Sequence, residues 1–84
     1  MMKQLTIPLS EKLLLSMNMN SEELASSMLK EYGQKLYQMG KLTLSQSAEF
    51  SDINLYEFIS LLTLSGIPII DYSPVELENE LKQF

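Results

Sequence analysis

The stretch KLTLSQSAEFSDINLYEFISLLTLSGIPIIDY, from Lys41 to Tyr72, most restricts how this chain can fold. A short capped segment, a tight turn and a longer apolar segment follow one another, which is the order of a helix-turn-helix. Ser45 or Thr43 can cap a helix over about Gln46–Phe50, and Ala48 is the small residue that lets the two helices approach closely. Asp52 falls at the turn, where Asp tolerates a left-handed conformation better than most residues. Asn54 with Glu57 three residues on is a capping box, opening a helix from Leu55 to Ser65 that Gly66 stops. Shape and charge disagree in this block. It carries no basic residue after Lys41, whereas neutralised phosphates supply most of the affinity of a nucleic-acid binder.

The rest of the chain frames that block. Met2 to Leu9 alternates, with Leu5, Ile7 and Leu9 on one face and Gln4, Thr6 and Pro8 on the other. This is a half-buried strand pattern, and Pro8 suits a strand at an edge. Ser10 caps a short helix to about Met17, with Leu13, Leu14 and Met17 expected inward, and Asn18 and Asn20 break it. Asn20 with Glu23 then opens a helix from Ser21 to about Met39, ended by Gly40. Leu24, Met28, Leu29, Tyr32, Leu36 and Tyr37 form its apolar stripe. Gly33 lies within that helix at a cost of roughly 1 kcal/mol relative to Ala, which points to a close approach by another helix. Ile67–Ile70 reads as a second short edge strand around Pro68. Ser73, Pro74 and Glu76 open a last helix to Phe84, with Leu77, Leu81 and Phe84 on one stripe.

The expected fold is therefore mainly α. It comprises about five helices, a short N-terminal strand, a helix-turn-helix in the C-terminal half and a short strand at Ile67–Ile70. Residues 1–84 form one small domain: a strand-helix-helix dimerisation part (1–40), the helix-turn-helix (41–72) and the C-terminal helix (73–84). At 84 residues such a domain buries only about 60–65% of its unfolded surface, so self-association, with a homodimer as its simplest form, is expected.

Composition excludes much chemistry. Hydrophobic residues at 45% and charged residues at 20% place the chain outside the disordered class. It has no cysteine and no histidine, which removes disulfides, thiolate nucleophiles and the commonest zinc ligands. Glu76, Glu78 and Glu80 alternate, so they do not share a helix face. Glu22 and Glu23 occupy a first helical turn, where acid complements the dipole. The serines have no histidine to activate them, and there is no glycine-rich phosphate loop. The expectation is a protein that is not an enzyme and holds no cofactor or metal. No leader is expected, because Leu13–Leu15 is too short an apolar run. Phe58–Ile70 is interrupted by Ser60, Thr63, Ser65 and Gly66, and a membrane span needs about 20 apolar residues. A cytoplasmic protein without membrane contact is expected.

The net charge of −5 is unevenly spread. Residues 1–44 carry five lysines (3, 12, 30, 35, 41) against four glutamates (11, 22, 23, 31), a net of +1. Residues 45–84 carry Lys82 alone against Glu49, Asp52, Glu57, Asp71, Glu76, Glu78 and Glu80, a net of −6. Contact with a polyanion is thus more plausible on the N-terminal half.

Three stretches can carry recognition. A recognition helix at 55–65 would present Asn54, Tyr56, Glu57 and Ser60, with Lys41 upstream; Asn reads adenine edges and Tyr reaches phosphate. Its many apolar residues point instead to burial against its own domain or a partner, the usual fate of such a helix. The N-terminal strand and two helices also have the layout of a ribbon-helix-helix domain, in which Gln4 and Thr6 face the bases with Lys3 and Lys12 near the backbone. The competing reading is a strand that covers the core or pairs with Ile67–Ile70. Finally, Leu77, Leu81 and Phe84 are spaced as anchors for a partner groove, or they pack on the chain's own core.

The whole layout resembles the small prokaryotic family of predicted helix-turn-helix antitoxins often encoded beside PIN-domain ribonuclease toxins. The resemblance is carried by LTIPLSEKLL, NSEELASSM, KLYQMGKLTLSQSAEF and NLYEFISLLTLSGIPIIDY. Within them Ser47-Ala48-Glu49, Glu57-Phe58 and Gly66-Ile67-Pro68 are specific in combination. Two positions depart from it: Asp52 stands where the family often has Gly, and Leu55 where it often has a basic residue. The resemblance implies an antitoxin-like regulator that neutralises a partner toxin, such as a PIN-domain nuclease, and also binds operator DNA. Leu77, Leu81 and Phe84, with Lys82 as the only nearby cation, would then block the toxin. The alternatives are a dimeric adaptor with no DNA contact and a ribbon-helix-helix-like DNA binder.

Overall fold

A computed structural model describes residues 2–69. Four helices follow in order: α1 (Glu11–Met17), α2 (Ser21–Gln38), α3 (Leu44–Phe50) and α4 (Leu55–Leu64). The mainly helical expectation holds, with no strand among the described residues. The expected fifth helix over 73–84 lies outside them.

Each helix starts on a residue whose side chain accepts from its first turn. Ser10 accepts from the Lys12 N–H at 3.2 Å, Asn20 from Glu23 at 2.8 Å and Asn54 from Glu57 at 2.8 Å. Thr43, rather than Ser45, caps α3, which therefore begins two residues earlier than expected. Its hydroxyl accepts from the Gln46 N–H at 3.2 Å, and the Gln46 side chain accepts from the Thr43 N–H at 3.0 Å. Two otherwise unmet donors are satisfied by one reciprocal pair. At Asn20 and Asn54 the glutamate instead accepts from the asparagine side-chain amide, at 2.8 and 3.1 Å. Thr43→Ala and Asn54→Ala are each expected to cost about 1 kcal/mol, read as a lower urea midpoint at constant slope. Neutral effects from both would mean the caps do not hold α3 and α4.

All four helices also end alike. A residue with positive φ follows the last turn: Asn18 at 55°, Gly40 at 74°, Asp52 at 58° and Gly66 at 72°. The next N–H then reaches back five residues: Met19 to Leu14 O, Lys41 to Leu36 O, Ile53 to Ala48 O and Ile67 to Leu62 O, at 2.9–3.2 Å. This closing bond turns the chain sharply out of each helix. It sets the four-residue connection from Ser51 to Asn54 that joins α3 to α4.

The core lies among α2, α3 and α4. Tyr37, Leu44, Ala48, Leu55, Phe58 and Leu62 are buried, and Ile53, Ile59, Ile67 and Ile69 pack against them. Tyr37 meets Phe58 edge-on at 6.4 Å between ring centres, and Tyr32 meets Phe50 similarly at 6.1 Å, geometries favoured by the ring quadrupoles. Gly33 is where α2 touches α3. A Cβ there would collide with the Ser51 hydroxyl and lie 3.3 Å from Ser47 O. The close approach expected from Gly33 is present.

Polar groups inside this unit are paired. The Ser51 hydroxyl lies 2.8 Å from Ser47 O and 3.1 Å from Leu29 O on α2. Ser47 donates to Thr43 O at 2.7 Å. The Ser65 hydroxyl donates to Gln34 Oε1 at 2.7 Å, tying the end of α4 to α2. No buried side-chain nitrogen or oxygen among the described residues lacks a partner, as close-packed interiors require.

Two expectations about the N-terminal half are corrected. Residues 2–10 form neither helix nor strand, because a ladder needs a neighbouring strand and the described chain supplies none. The expected inward face of α1 is also outside: Leu13 is 53% and Met17 42% exposed, Leu14 is half-buried, and α1 contributes no buried residue. The three-helix core is closed without it. The second strand is corrected too. Residues 67–69 are irregular, yet Ile67 and Ile69 both pack on the core. The apolar run there lies over the core, with no ladder; Ile70 is outside the described residues.

Candidate nucleic-acid and partner interface

Burial of Leu55, Phe58 and Leu62 fixes which side of α4 faces out. Tyr56, Ser60 and Thr63 are exposed along that side, with Leu64 beside them at 85% exposure. Tyr56 and Ser60 are four residues apart, hence neighbours on one face. Asn54 is exposed but engaged: its side chain accepts from the Glu57 N–H and donates to the Glu57 carboxylate. Reading an adenine edge, which needs both of those groups, would break the cap of the helix that presents it. The one charged residue of α4 is Glu57, so the outward face is neutral to acidic. Of the ten residues of α4, three are buried, two half-buried and the rest exposed, so its apolar residues are only partly taken up by the core.

The cations of the described residues lie elsewhere. Lys30 and Lys35 are on α2, Lys41 is exposed between α2 and α3, and Lys3 and Lys12 belong to the N-terminal segment and α1. Gln4 and Thr6 are exposed in that N-terminal segment, ahead of the three-helix unit that carries Tyr56 and Ser60. The two sets of residues named for DNA contact thus sit on different parts of the chain. Leu77, Leu81, Lys82 and Phe84, named for partner contact, lie outside the described residues.

A match to a family description covers residues 1–84, over the whole chain: Uncharacterised protein family (UPF0175). The chain belongs to UPF0175. No curated protein and no solved structure matches it. The resemblance drawn from the sequence motifs, to a small and largely uncharacterised family, agrees with that membership.

One concavity in this UPF0175 chain was not foreseen. An open groove of about 340 Å³ runs between the first half of α2 and the α3–α4 turn, lined by Ala25, Leu29, Lys30, Ser51, Asp52 and Ile53 among others. Two of its lining residues, Ser51 and Leu29, are joined by the hydrogen bond from the Ser51 hydroxyl to Leu29 O. The signal for it in the sequence was Ser51, a small polar residue directly before the turn at Asp52. Among the described residues no cluster of three His, Cys, Asp or Glu side chains is placed to hold a metal, and no helix is long and apolar enough to cross a membrane.

Proposed function

We propose that this chain is an antitoxin-like regulator, a binding protein rather than an enzyme, that neutralises a partner protein and contacts operator DNA together with it. The observation that supports this reading is the outward face of α4. A helix-turn-helix connection and three-helix core present Tyr56, Ser60, Thr63 and Leu64 without a cation. A cation-free surface with an exposed tyrosine and leucine suits a protein partner, whereas phosphate contact needs positive charge. Lysines contributed by the rest of the chain, and by the partner, supply the DNA affinity of the complex. The motif resemblance points to a PIN-domain nuclease as the class of partner, with Leu77, Leu81, Lys82 and Phe84 as its contact.

Co-expression with the product of the adjacent reading frame tests the proposal. The expected result is a stoichiometric complex and suppression of the neighbour's toxicity. A harmless neighbour that does not co-purify would remove the antitoxin reading. Operator binding then separates the regulator from an adaptor with no DNA contact, a reading the cation-free α4 also favours. For six to ten phosphate contacts, the complex should lose roughly 10³–10⁵-fold in affinity between 50 and 200 mM salt. The chain alone should bind far more weakly. An adaptor would show no DNA affinity in either form.

A further inference from the structure

We infer that residues 3–9 form an antiparallel β-ribbon with the same residues of a second copy, and that this ribbon, seated on α1 of both copies, is the dimer interface. The inference deepens the regulator reading by naming one partner, but its test does not involve a toxin, so the two can fail separately. Four observations converge on a second copy as the occupant.

The first is unmet backbone. None of the backbone hydrogen bonds among the described residues involves residues 2–9, so this segment offers two free edges. Strand addition satisfies such edges. The second is the side-chain pattern. Leu5, Ile7 and Leu9 share one side of an extended chain and are 89%, 63% and 42% exposed. An antiparallel two-fold centred on Thr6 sets Leu5 against Ile7 of the other copy. Residues of equal parity then meet, so both apolar sides fall on the same face of the ribbon. The pattern is complementary to itself.

The third is Pro8. With odd-numbered residues in the hydrogen-bonded pairs, Pro8 lies opposite Gln4 in a non-hydrogen-bonded pair. The N–H that proline lacks would have pointed away from the partner, so Pro8 costs the ladder nothing. Charge agrees as well: Lys3 is the only charged residue in the segment, and the antiparallel register sets the two copies' Lys3 at opposite ends.

The fourth is area. A two-stranded ribbon alone is marginal in water and needs a surface beneath it. α1 supplies one, with Leu13 and Met17 four residues apart and 53% and 42% exposed. From Met2 to Met17 seven large apolar side chains are exposed, Leu5, Ile7, Leu9, Leu13 and Met17 among them, and a standard interface buries about 800 Å² on each partner.

Sedimentation velocity on the full chain tests this. The wild type is expected at twice the 9.6 kDa chain mass at micromolar concentration. Ile7→Asp is expected to yield a monomer with unchanged helical circular dichroism, since Ile7 lies outside the three-helix core. Ile7→Pro removes a ladder N–H from each copy and should raise the dimer dissociation constant by about tenfold or more. Thr6→Pro removes an outward N–H and should leave the dimer intact. A monomeric wild type, or a dimer indifferent to Ile7→Asp, would overturn the inference. Equal responses to Pro at 6 and 7 would overturn it too, because a ladder must distinguish them.

Discussion

Phe58→Ala is expected to lower the stability of this chain by about 3–5 kcal/mol, the usual cost of removing a fully buried aromatic ring. Phe58 has no exposed surface and meets Tyr37 of α2 edge-on across the core. Neighbouring side chains cannot close the cavity easily. Leu44, Leu55 and Leu62 are also fully buried, on helices whose ends are fixed by caps and closing bonds. Small domains hold only about 5 kcal/mol or little more in total, so the variant should be largely unfolded at 37 °C. Tyr56→Ala, two residues earlier but 57% exposed, should change stability by less than about 0.5 kcal/mol. Urea unfolding of the two variants side by side is the measurement. A loss below about 1 kcal/mol for Phe58→Ala would mean that the core is not centred on this ring. The pair also separates fold from function: Tyr56→Ala should weaken partner binding without unfolding the chain.

The parts of this architecture that were legible in the sequence are those encoded locally. Asn20, Asn54 and Ser10 announce their helices because capping involves residues two or three apart. Asp52 and Gly66 announce the ends for the same reason, since a left-handed residue selects its own type. The exception among the starts, Thr43, was obscured by Ser45, a competing hydroxyl; the deciding partner was Gln46, whose side chain and N–H both bond to Thr43. What could not be read was whether an apolar pattern finds a partner. Leu5, Ile7 and Leu9 alternate and Ile67–Ile70 is an apolar, β-branched run, both patterns of a strand, yet Ile67 and Ile69 cover the core while the N-terminal set faces solvent. Period-two patterning records which side wants burial, and carries no information about what buries it. The same limit applies to α1, whose Leu13 and Met17 read as inward although the core closes without them. For the candidate interface, Tyr56 and Ser60 were identifiable from helical spacing. The engagement of Asn54 in its own cap depends on a rotamer that spacing does not show.

Gly33→Ala is expected to destabilise the chain by about 1–3 kcal/mol, although alanine is the better helix former by roughly 1 kcal/mol. The added methyl must occupy space already held by the Ser51 hydroxyl, with Ser47 O at 3.3 Å and Phe50 Cδ1 at 3.4 Å. Ser51 cannot simply turn aside, because its hydroxyl is placed between Leu29 O and Ser47 O, and either α2 and α3 separate or those bonds break. Ser51→Ala alone removes the hydroxyl and should cost about 0.5–1.5 kcal/mol for the lost hydrogen bonding. In Gly33→Ala with Ser51→Ala the obstacle is gone, so the double variant should be less destabilised than the sum of the singles by about 1 kcal/mol or more. Additivity within about 0.5 kcal/mol, the behaviour of independent sites, would show that the glycine is not there for this contact. The cycle bears on function through geometry. The close approach at Gly33 is made to Ser51, which lines the groove with Leu29 and opens the turn from which α4 departs. A variant that widens that approach should therefore perturb partner binding even though it alters no residue on the outward face of α4.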